Sequence, residues 1–175
     1  MVRKILPAKD PFLRLTAKPV VALDKKVFEI IKDLKDTLAV QKDPEGVGLA
    51  APQIGKNIRI FYLSHKGKSE VFINPEILYK APGKVISEKE NEKIMEGCLS
   101  LPYYYGSLLR SPEVKVKYMN ESGLVKIRKI TGFPAQIVQH EVDHLNGILF
   151  VDKLLKQKRK LYKINADEDW EEVDL

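Results

Sequence analysis

Two histidines four residues apart constrain the fold of this chain more than any other feature. They lie in the sequence QHEVDHLNG as His140 and His144, and Glu141 follows the first of them. If this segment is helical, both imidazoles lie on one face, one turn apart, and can bind one metal ion with Glu141 beside it. Pro134 favours a helix start before the segment, and Gly147 favours a helix end. The pattern predicts a metal-binding helix; histidines packed in a core beside a solvated glutamate are the alternative interpretation.

The length and composition are those of one folded domain. The chain has 175 residues, 44% hydrophobic and 31% charged, which is enough for one full core and too few for two domains of ordinary size. Its apolar runs are too short to cross a bilayer, and prolines interrupt the first residues before a signal-peptide core could form. The single cysteine excludes an intrachain disulfide and favours a reducing compartment. We therefore expect a cytoplasmic protein without membrane contact.

The charge of the chain is unevenly distributed. Residues 167–175 contain six acidic and no basic residues, which leaves residues 1–166 with 30 basic and 18 acidic residues and a net charge of +12. We predict a single domain over residues 1–166 and a disordered acidic tail over residues 167–175. A body this basic suggests a polyanionic neighbour such as RNA, although a lysine-rich solvated surface is the more common explanation. No direct DNA binding is expected.

The order of hydrophobic patterns predicts an α+β fold. An irregular, proline-rich arm over residues 1–23 precedes a helix that begins after an Asp24 N-cap and ends near Val40. Strands then follow over residues 58–63, 71–78, one or two within 84–95, 114–118 and 125–130. This order predicts mixed, mainly antiparallel sheets packed around a central C-terminal metal-binding helix, with an N-terminal helix.

Two further local predictions concern His65 and the C-terminal basic segment. His65 falls in a polar turn over residues 64–68, so we expect an exposed loop residue rather than a metal ligand. Residues 153–163 carry six basic residues and leucines at roughly helical spacing, which predicts a short amphipathic helix. This helix has two interpretations: a transient contact with the ribosome, or a solvated helix packed on its leucines.

A segment dense in small residues lies at positions 43–55. Its glycines and alanines allow the backbone to approach a ligand or another strand closely. The segment lacks the Lys-Ser/Thr pair of a phosphate loop and the third glycine of a dinucleotide site, so the nucleotide-binding interpretations fail.

Three segments together resemble the peptide deformylase family. Residues 46–53 (GVGLAAPQ) match the motif GxGLAAxQ, residues 96–100 (EGCLS) match EGCxS, and residues 139–147 (QHEVDHLNG) match QHExDHLxG, in the order of that family. The similarity extends from residue 10 to residue 150. It implies a metal-dependent hydrolase that removes the N-formyl group from the initiator methionine of newly synthesised polypeptides and releases formate.

The resemblance also implies the chemistry of the site. Cys98, His140 and His144 would bind one divalent metal, with Fe²⁺ expected and Ni²⁺, Co²⁺ or Zn²⁺ as alternatives. Three protein ligands leave one position of a tetrahedral metal open, as a catalytic site requires. Glu141 would act as general base toward a metal-bound water. The Gln53 side-chain amide and the Leu99 backbone N–H would stabilise the oxyanion.

Further residues are implied to bind the substrate or to support the ligands. The apolar pocket for the methionine side chain would be formed by Val47, Phe133 and Ile137, all of which could equally be core residues. Gly48 and Gly97 would lie along the bound peptide. Glu96 and Arg110 would form a supporting ion pair behind the site, with a surface salt bridge as the ordinary alternative.

The chain departs from the usual family pattern at Pro134, at Gln136 and at Tyr103-Tyr104-Tyr105, which affects the expected substrate preference more than the reaction. Two other functions compete with a deformylase. A peptidase can use the same helix motif, and a basic RNA-binding domain can retain a structural metal.

Overall fold

The computed structural model describes residues 1–83, 95–165 and 168–174. The described residues form three α-helices, which are α1 (Lys25–Ala39), α2 (Phe133–Leu145) and α3 (Phe150–Lys156). They also form β1 (Gly48–Ala50), β2 (Ile60–His65), β3 (Lys68–Lys80), β4 (Glu96–Cys98), β5 (Leu101–Gly106), β6 (Glu113–Met119), β7 (Val125–Thr131), β8 (Leu161–Ile164) and β9 (Trp170–Val173). The α+β prediction is confirmed. The strands predicted within residues 84–95 fall almost wholly outside the described residues.

A five-stranded antiparallel sheet in the order β1-β2-β3-β6-β7 carries most of the core. Successive residues of β2 face opposite sides of the sheet, as strand geometry requires. Phe61 therefore packs in the cluster that contains Val138 of α2, whereas Ile60 packs in the cluster that contains Leu34 of α1. The sheet thus lies between the two longer helices, and α2 is held against its inner face.

The helix α1 follows from local sequence signals. Asp24 is its N-cap and accepts a hydrogen bond from the Val27 backbone N–H at 2.9 Å, which satisfies one of the free donors at the helix start. The predicted apolar stripe is buried at Ile31 and Leu34, but Phe28 is 46% exposed. The predicted helix is confirmed, with Phe28 at the edge of its buried face.

The second sheet has the order β4-β5-β8-β9, and it corrects two predictions. The C-terminal helix predicted over residues 153–163 is wrong beyond Lys156, because Lys158 adopts a left-handed backbone with φ of 52° and the chain then enters β8. The prediction of a disordered tail is wrong for Trp170–Val173, which pair along β8 as β9. The repulsion among the acidic residues of β9 is offset by backbone pairing with β8. An ion pair between Lys160 and Glu172 at 2.6 Å adds to this.

His65 also differs from its prediction. It is the last residue of β2 and pairs with Lys68, so the turn consists of Lys66 and Gly67. The His65 ring contacts the Phe133 ring edge-on, with centroids 5.0 Å apart. It is therefore a half-buried strand residue rather than an exposed loop residue.

The helix α2 is enclosed by the rest of the protein. Every residue from Ala135 to Leu145 is buried, including the polar ones, and a buried polar side chain requires a partner or a ligand. Gly132, with φ of 66°, precedes the helix. None of the helices in the described part of the chain is long and apolar enough to span a membrane.

Candidate metal centre

The strand β4 and the helix α2 bring Cys98, His140 and His144 together. The Cys98 Sγ lies 3.2 Å from the His144 Nε2, and the ligand atoms of the three residues all lie within 4.8 Å of one another. The two imidazoles are edge-on to each other, with centroids 4.8 Å apart. The helical spacing thus places the histidines as predicted, and the thiol reaches them across 42 positions of sequence.

The chemistry of the three side chains fits a divalent transition metal. Burial opposes ionisation of Cys98, but the charge of His144 and hydrogen bonds from both histidines lower the pKa of its thiol well below the usual value. The thiolate is the form that binds metals. The buried Nδ1 of His144 and Oε2 of Glu141 have no hydrogen-bond partner among the described residues. The His144 nitrogen that faces the Cys98 Sγ is Nε2, so of these two atoms only the Glu141 Oε2 bears on the cluster. An unpartnered carboxylate oxygen beside a thiolate and two imidazoles is consistent with a metal site at this point.

Glu141 lies beside the cluster without belonging to it. Its side chain is buried, and this burial raises the pKa of its carboxyl to about 7, although the two histidines act in the opposite direction. Gly48 makes room for it, because a Cβ at that position would lie 2.4 Å from the Glu141 Oε1. The backbone of β1 therefore packs directly on the carboxyl group, which explains why the segment of small residues lies here.

Gln53 fixes its amide toward the same point. Its Oε1 accepts a hydrogen bond from the Ala50 backbone N–H at 2.8 Å, and its Nε2 donates to the Ser100 hydroxyl at 3.2 Å. The same Nε2 lies 3.5 Å from the Cys98 Sγ. Leu99 follows the cysteine and is half-buried. The structure thus brings together every residue that the sequence assigned to the reaction.

A buried ion-pair network lies behind the histidines. Arg110 donates two hydrogen bonds to Glu96, from Nε at 2.9 Å and from Nη2 at 2.5 Å. Both side chains are 4% exposed, so the surface salt bridge considered from sequence is ruled out. Burial opposes the charge on Glu96, but Arg110 and His140 outweigh it and lower the pKa of Glu96 to about 2. Glu96 is therefore a carboxylate at neutral pH and accepts the hydrogen bond from the His140 Nδ1 at 2.7 Å.

Sequence reasoning missed three residues that hold Arg110, Glu96 or Gln53 in place. Asp143 accepts a hydrogen bond from the Arg110 Nη1 at 2.5 Å, Gln136 donates to Glu96 at 3.4 Å, and Ser100 holds Gln53. Asp143 lies inside the QHEVDHLNG segment one residue before His144, so its position was a signal. No local pattern indicated that Asp143 pairs with Arg110, because Arg110 lies 33 positions away.

A cavity of about 190 Å³ opens beside the cluster. Val47, Phe133 and Ile137 line it. Ile137 is at the same time a buried member of the core cluster on the inner face of the sheet, and Val47 and Phe133 pack against that cluster. Gly48 and Gly97 also line the cavity. The remaining lining residues include Pro44, Glu45, Tyr103, Tyr104 and Tyr105.

A thiolate and two imidazoles beside a buried carboxylate, at the end of a cavity, define a hydrolytic metalloenzyme. Comparison with known proteins gives the family. The polypeptide deformylase family model matches residues 2–160. A peptide deformylase from Pseudothermotoga lettingae is 45% identical over 159 residues, covering 91% of this chain and 86% of that protein. The chain belongs to the peptide deformylase family.

Solved structures agree with this assignment. The crystal structure of peptide deformylase from Thermotoga maritima is 37% identical, with a TM-score of 0.77 over 87% of this chain and 97% of that one. The Met-Ala-Ser-bound class I type b peptide deformylase from Acinetobacter baumannii is 33% identical, with a TM-score of 0.78 over 87% and 98% of the two chains. The fold and the family therefore agree, and the chain is a hydrolytic enzyme.

Proposed function

We propose that this enzyme hydrolyses the formamide bond of N-formyl-methionine at the start of newly synthesised polypeptides and releases formate. The observation that carries the proposal is the position of Glu141, buried beside the Cys98–His140–His144 cluster at the end of the cavity. The Met-Ala-Ser bound to the Acinetobacter baumannii relative supports it, because that tripeptide is what deformylation of formyl-Met-Ala-Ser would release.

Cys98, His140 and His144 would hold one divalent metal ion. When bound, the metal supplies Lewis-acid activation of water and of the formyl oxygen. One thiolate and two imidazoles form a softer ligand set than two imidazoles and a carboxylate, and such a set can bind Fe²⁺, Ni²⁺, Co²⁺ or Zn²⁺. Among these, the membership in the peptide deformylase family implies Fe²⁺. A ferrous site with a thiolate ligand is sensitive to oxidation, so a reducing cytoplasm is the proposed location.

Glu141 would transfer the proton of the reaction. Its carboxyl is buried beside the three proposed ligands, where it can accept a proton from the attacking water and then donate it to the leaving amine. Donors would meanwhile stabilise the charge that develops on the formyl oxygen. The Gln53 Nε2 is held toward the cluster by Ser100, and the Leu99 backbone N–H would be the second donor.

Glu96 and Arg110 would support the ligands from behind. Because Glu96 accepts the hydrogen bond from the His140 Nδ1, the His140 Nε2 is left with a lone pair for the metal. Arg110 keeps Glu96 charged, and Asp143 shares the charge of Arg110. The network therefore fixes the imidazole in one tautomer and one orientation.

The cavity explains which substrates would fit. Val47, Phe133 and Ile137 would receive the methionine side chain, and the backbone at Gly48 and Gly97 would lie along the peptide. A formyl group carries only a hydrogen on its acyl carbon, so a narrow space beside the cluster can admit it and exclude an acetyl group. A transient ribosome contact through basic residues near Lys153 and Lys158 stays a prediction, and salt-dependent cosedimentation with ribosomes would test it.

The decisive experiment measures formate release under anaerobic conditions after loading with Fe²⁺, together with the metal content of the same sample. Formyl-Met-Ala-Ser should release formate, whereas acetyl-Met-Ala-Ser and longer unformylated peptides should stay intact. Cleavage of internal peptide bonds would favour the peptidase instead. A metal-loaded protein that releases no formate would contradict the proposal.

A further inference from the structure

Trp170, on the C-terminal strand β9, reaches the wall of the site cavity through Tyr105. The two ring centroids lie 5.5 Å apart at an interplanar angle of 53°, a tilted arrangement that aromatic pairs favour. Tyr105 lines the same cavity as Cys98. Trp170 is not among the residues that line that cavity, so its ring contact with Tyr105 links it to the site.

Tyr105 in turn lies against the backbone that leads to the cysteine. Gly97 and Tyr105 are paired across β4 and β5. A Cβ at Gly97 would lie 2.6 Å from one carbon of the Tyr105 ring and 2.7 Å from another. The ring therefore rests directly on the Gly97 Cα, one residue before Cys98. Tyr105 links Trp170 to the segment that carries a metal ligand.

The strand that carries Trp170 is attached at the edge of the second sheet. It pairs with β8 over four residue pairs, and the Trp170 ring also contacts Tyr162, with centroids 6.4 Å apart. The match to the family model ends at residue 160, so β8 and β9 both lie beyond it. The contact with Tyr105 therefore comes from a part of the chain outside the matched family residues.

We infer that Trp170 is a positioning residue for substrate binding, because it holds Tyr105 against Gly97 in the wall of the cavity. This inference rests on the proposed function. Phe133 and Ile137 line the cavity from α2, and the proposed function assigns them to the methionine side chain. The β5 tyrosines line it from the other sheet, and they are thus available to the residues that follow the methionine. Since Trp170 does not line the cavity and touches it through Tyr105, it affects peptide binding more than the chemical step.

Replacing Trp170 separates this role from a general effect on folding. In the metal-loaded full-length enzyme, Trp170→Ala should raise KM for formyl-Met-Ala-Ser about two- to tenfold. This is the change in affinity that corresponds to the interaction free energy of one aromatic pair. Its kcat should stay within about twofold of the wild type, since the reacting groups are untouched. Trp170→Phe should restore most of the binding. Val173→Ala is the matched control, because Val173 is half-buried on the same strand and should leave KM unchanged.

A double-mutant cycle tests the path through Tyr105. If Trp170 acts through Tyr105, adding Trp170→Ala to a Tyr105→Ala enzyme should change KM no further. Additive effects of the two changes would overturn the inference. So would a wild-type KM in Trp170→Ala, or an equal rise in Val173→Ala, which would indicate general loosening of β9.

Fluorescence provides a readout that needs no turnover. Trp170 is the only tryptophan in the sequence, so all tryptophan emission comes from this residue, and the Tyr105→Ala enzyme isolates the part that depends on Tyr105. Titration with Met-Ala-Ser should change the tryptophan emission of the wild type, and Tyr105→Ala should abolish this change. Calorimetry gives the concentration at which the peptide saturates the enzyme. Unchanged wild-type emission at that concentration would overturn the coupling. If the wild type releases no formate at all, the proposed function fails, but this titration still decides whether Trp170 is coupled to peptide binding.

Discussion

Glu96 joins His140 to Arg110 in the interior of the protein. One carboxylate oxygen accepts from the His140 Nδ1 at 2.7 Å and from the Arg110 Nη2 at 2.5 Å. The same side chain therefore orients an imidazole and neutralises a buried guanidinium. The Cys98–His140–His144 cluster is attached to the core through this carboxylate as well as through the backbone of α2.

Glu96→Gln should weaken metal binding. Its amide cannot accept from His140 and Arg110 as strongly as a carboxylate, so metal affinity should fall about 10- to 100-fold, as for other changes behind metal-bound histidines. Competition with a chelator of known affinity measures this. Glu76→Gln, at an exposed position of β3, is the control. Equal affinity in Glu96→Gln and the wild type would remove Glu96 from the support of the metal.

Glu141→Gln should retain the metal and lose the reaction. Glutamine preserves the shape of the side chain but cannot accept a proton, so kcat should fall by about 10²- to 10⁴-fold. Metal analysis and formate release on the same sample check both halves of the prediction. Substantial remaining turnover would favour another base. If the wild type itself shows no turnover and Glu141→Gln leaves RNA binding unchanged, the RNA-binding-domain alternative is favoured.

Gly48→Ala should impair catalysis by displacing Glu141. The added Cβ would lie 2.4 Å from the Glu141 Oε1, and a shift of about 1 Å in a catalytic group can reduce the rate about 100-fold. Gly67→Ala is the matched control: it lies in the β2–β3 turn with φ of 73° and open space around its Cβ, so it should lower stability and leave kcat unchanged. Wild-type kcat in Gly48→Ala would show that the carboxyl adapts.

Tyr118 should make stability depend on alkaline pH. Burial and the hydrogen bond that its hydroxyl donates to Glu70 raise the pKa of Tyr118 to about 12, against about 10 in an unfolded chain. The folded state thus favours the neutral phenol. The associated stability is present in full below about pH 10 and is lost as the pH rises through about 12.

Urea unfolding between pH 8 and 11.5 measures this dependence. The free energy of unfolding of the wild type should fall more steeply above pH 10 than that of Tyr118→Phe, which has no phenol to ionise. Below pH 9 the difference between the two proteins should be constant. Parallel curves across the whole range would contradict the prediction.

Local patterns in the sequence were sufficient for the elements that depend on local physics. The Asp24 N-cap and apolar spacing located α1, alternation located β6 and β7, and the histidine spacing located α2. Local patterns failed at the C-terminal end. The acidic residues of β9 predicted disorder, because the pattern contains no information about the free edge of β8 or the rings of Tyr105 and Tyr162.

The sequence by itself determined the helix that carries both histidines and, through three motifs, the family. Only the tertiary structure decided how the ligands are supported and what encloses them. Arg110 bonds Glu96 and Asp143, 14 and 33 positions away, and Trp170 packs on Tyr105. These contacts join side chains that are distant along the chain, and they form only when the sheets and α2 pack together. Local periodicity in the sequence therefore does not predict them.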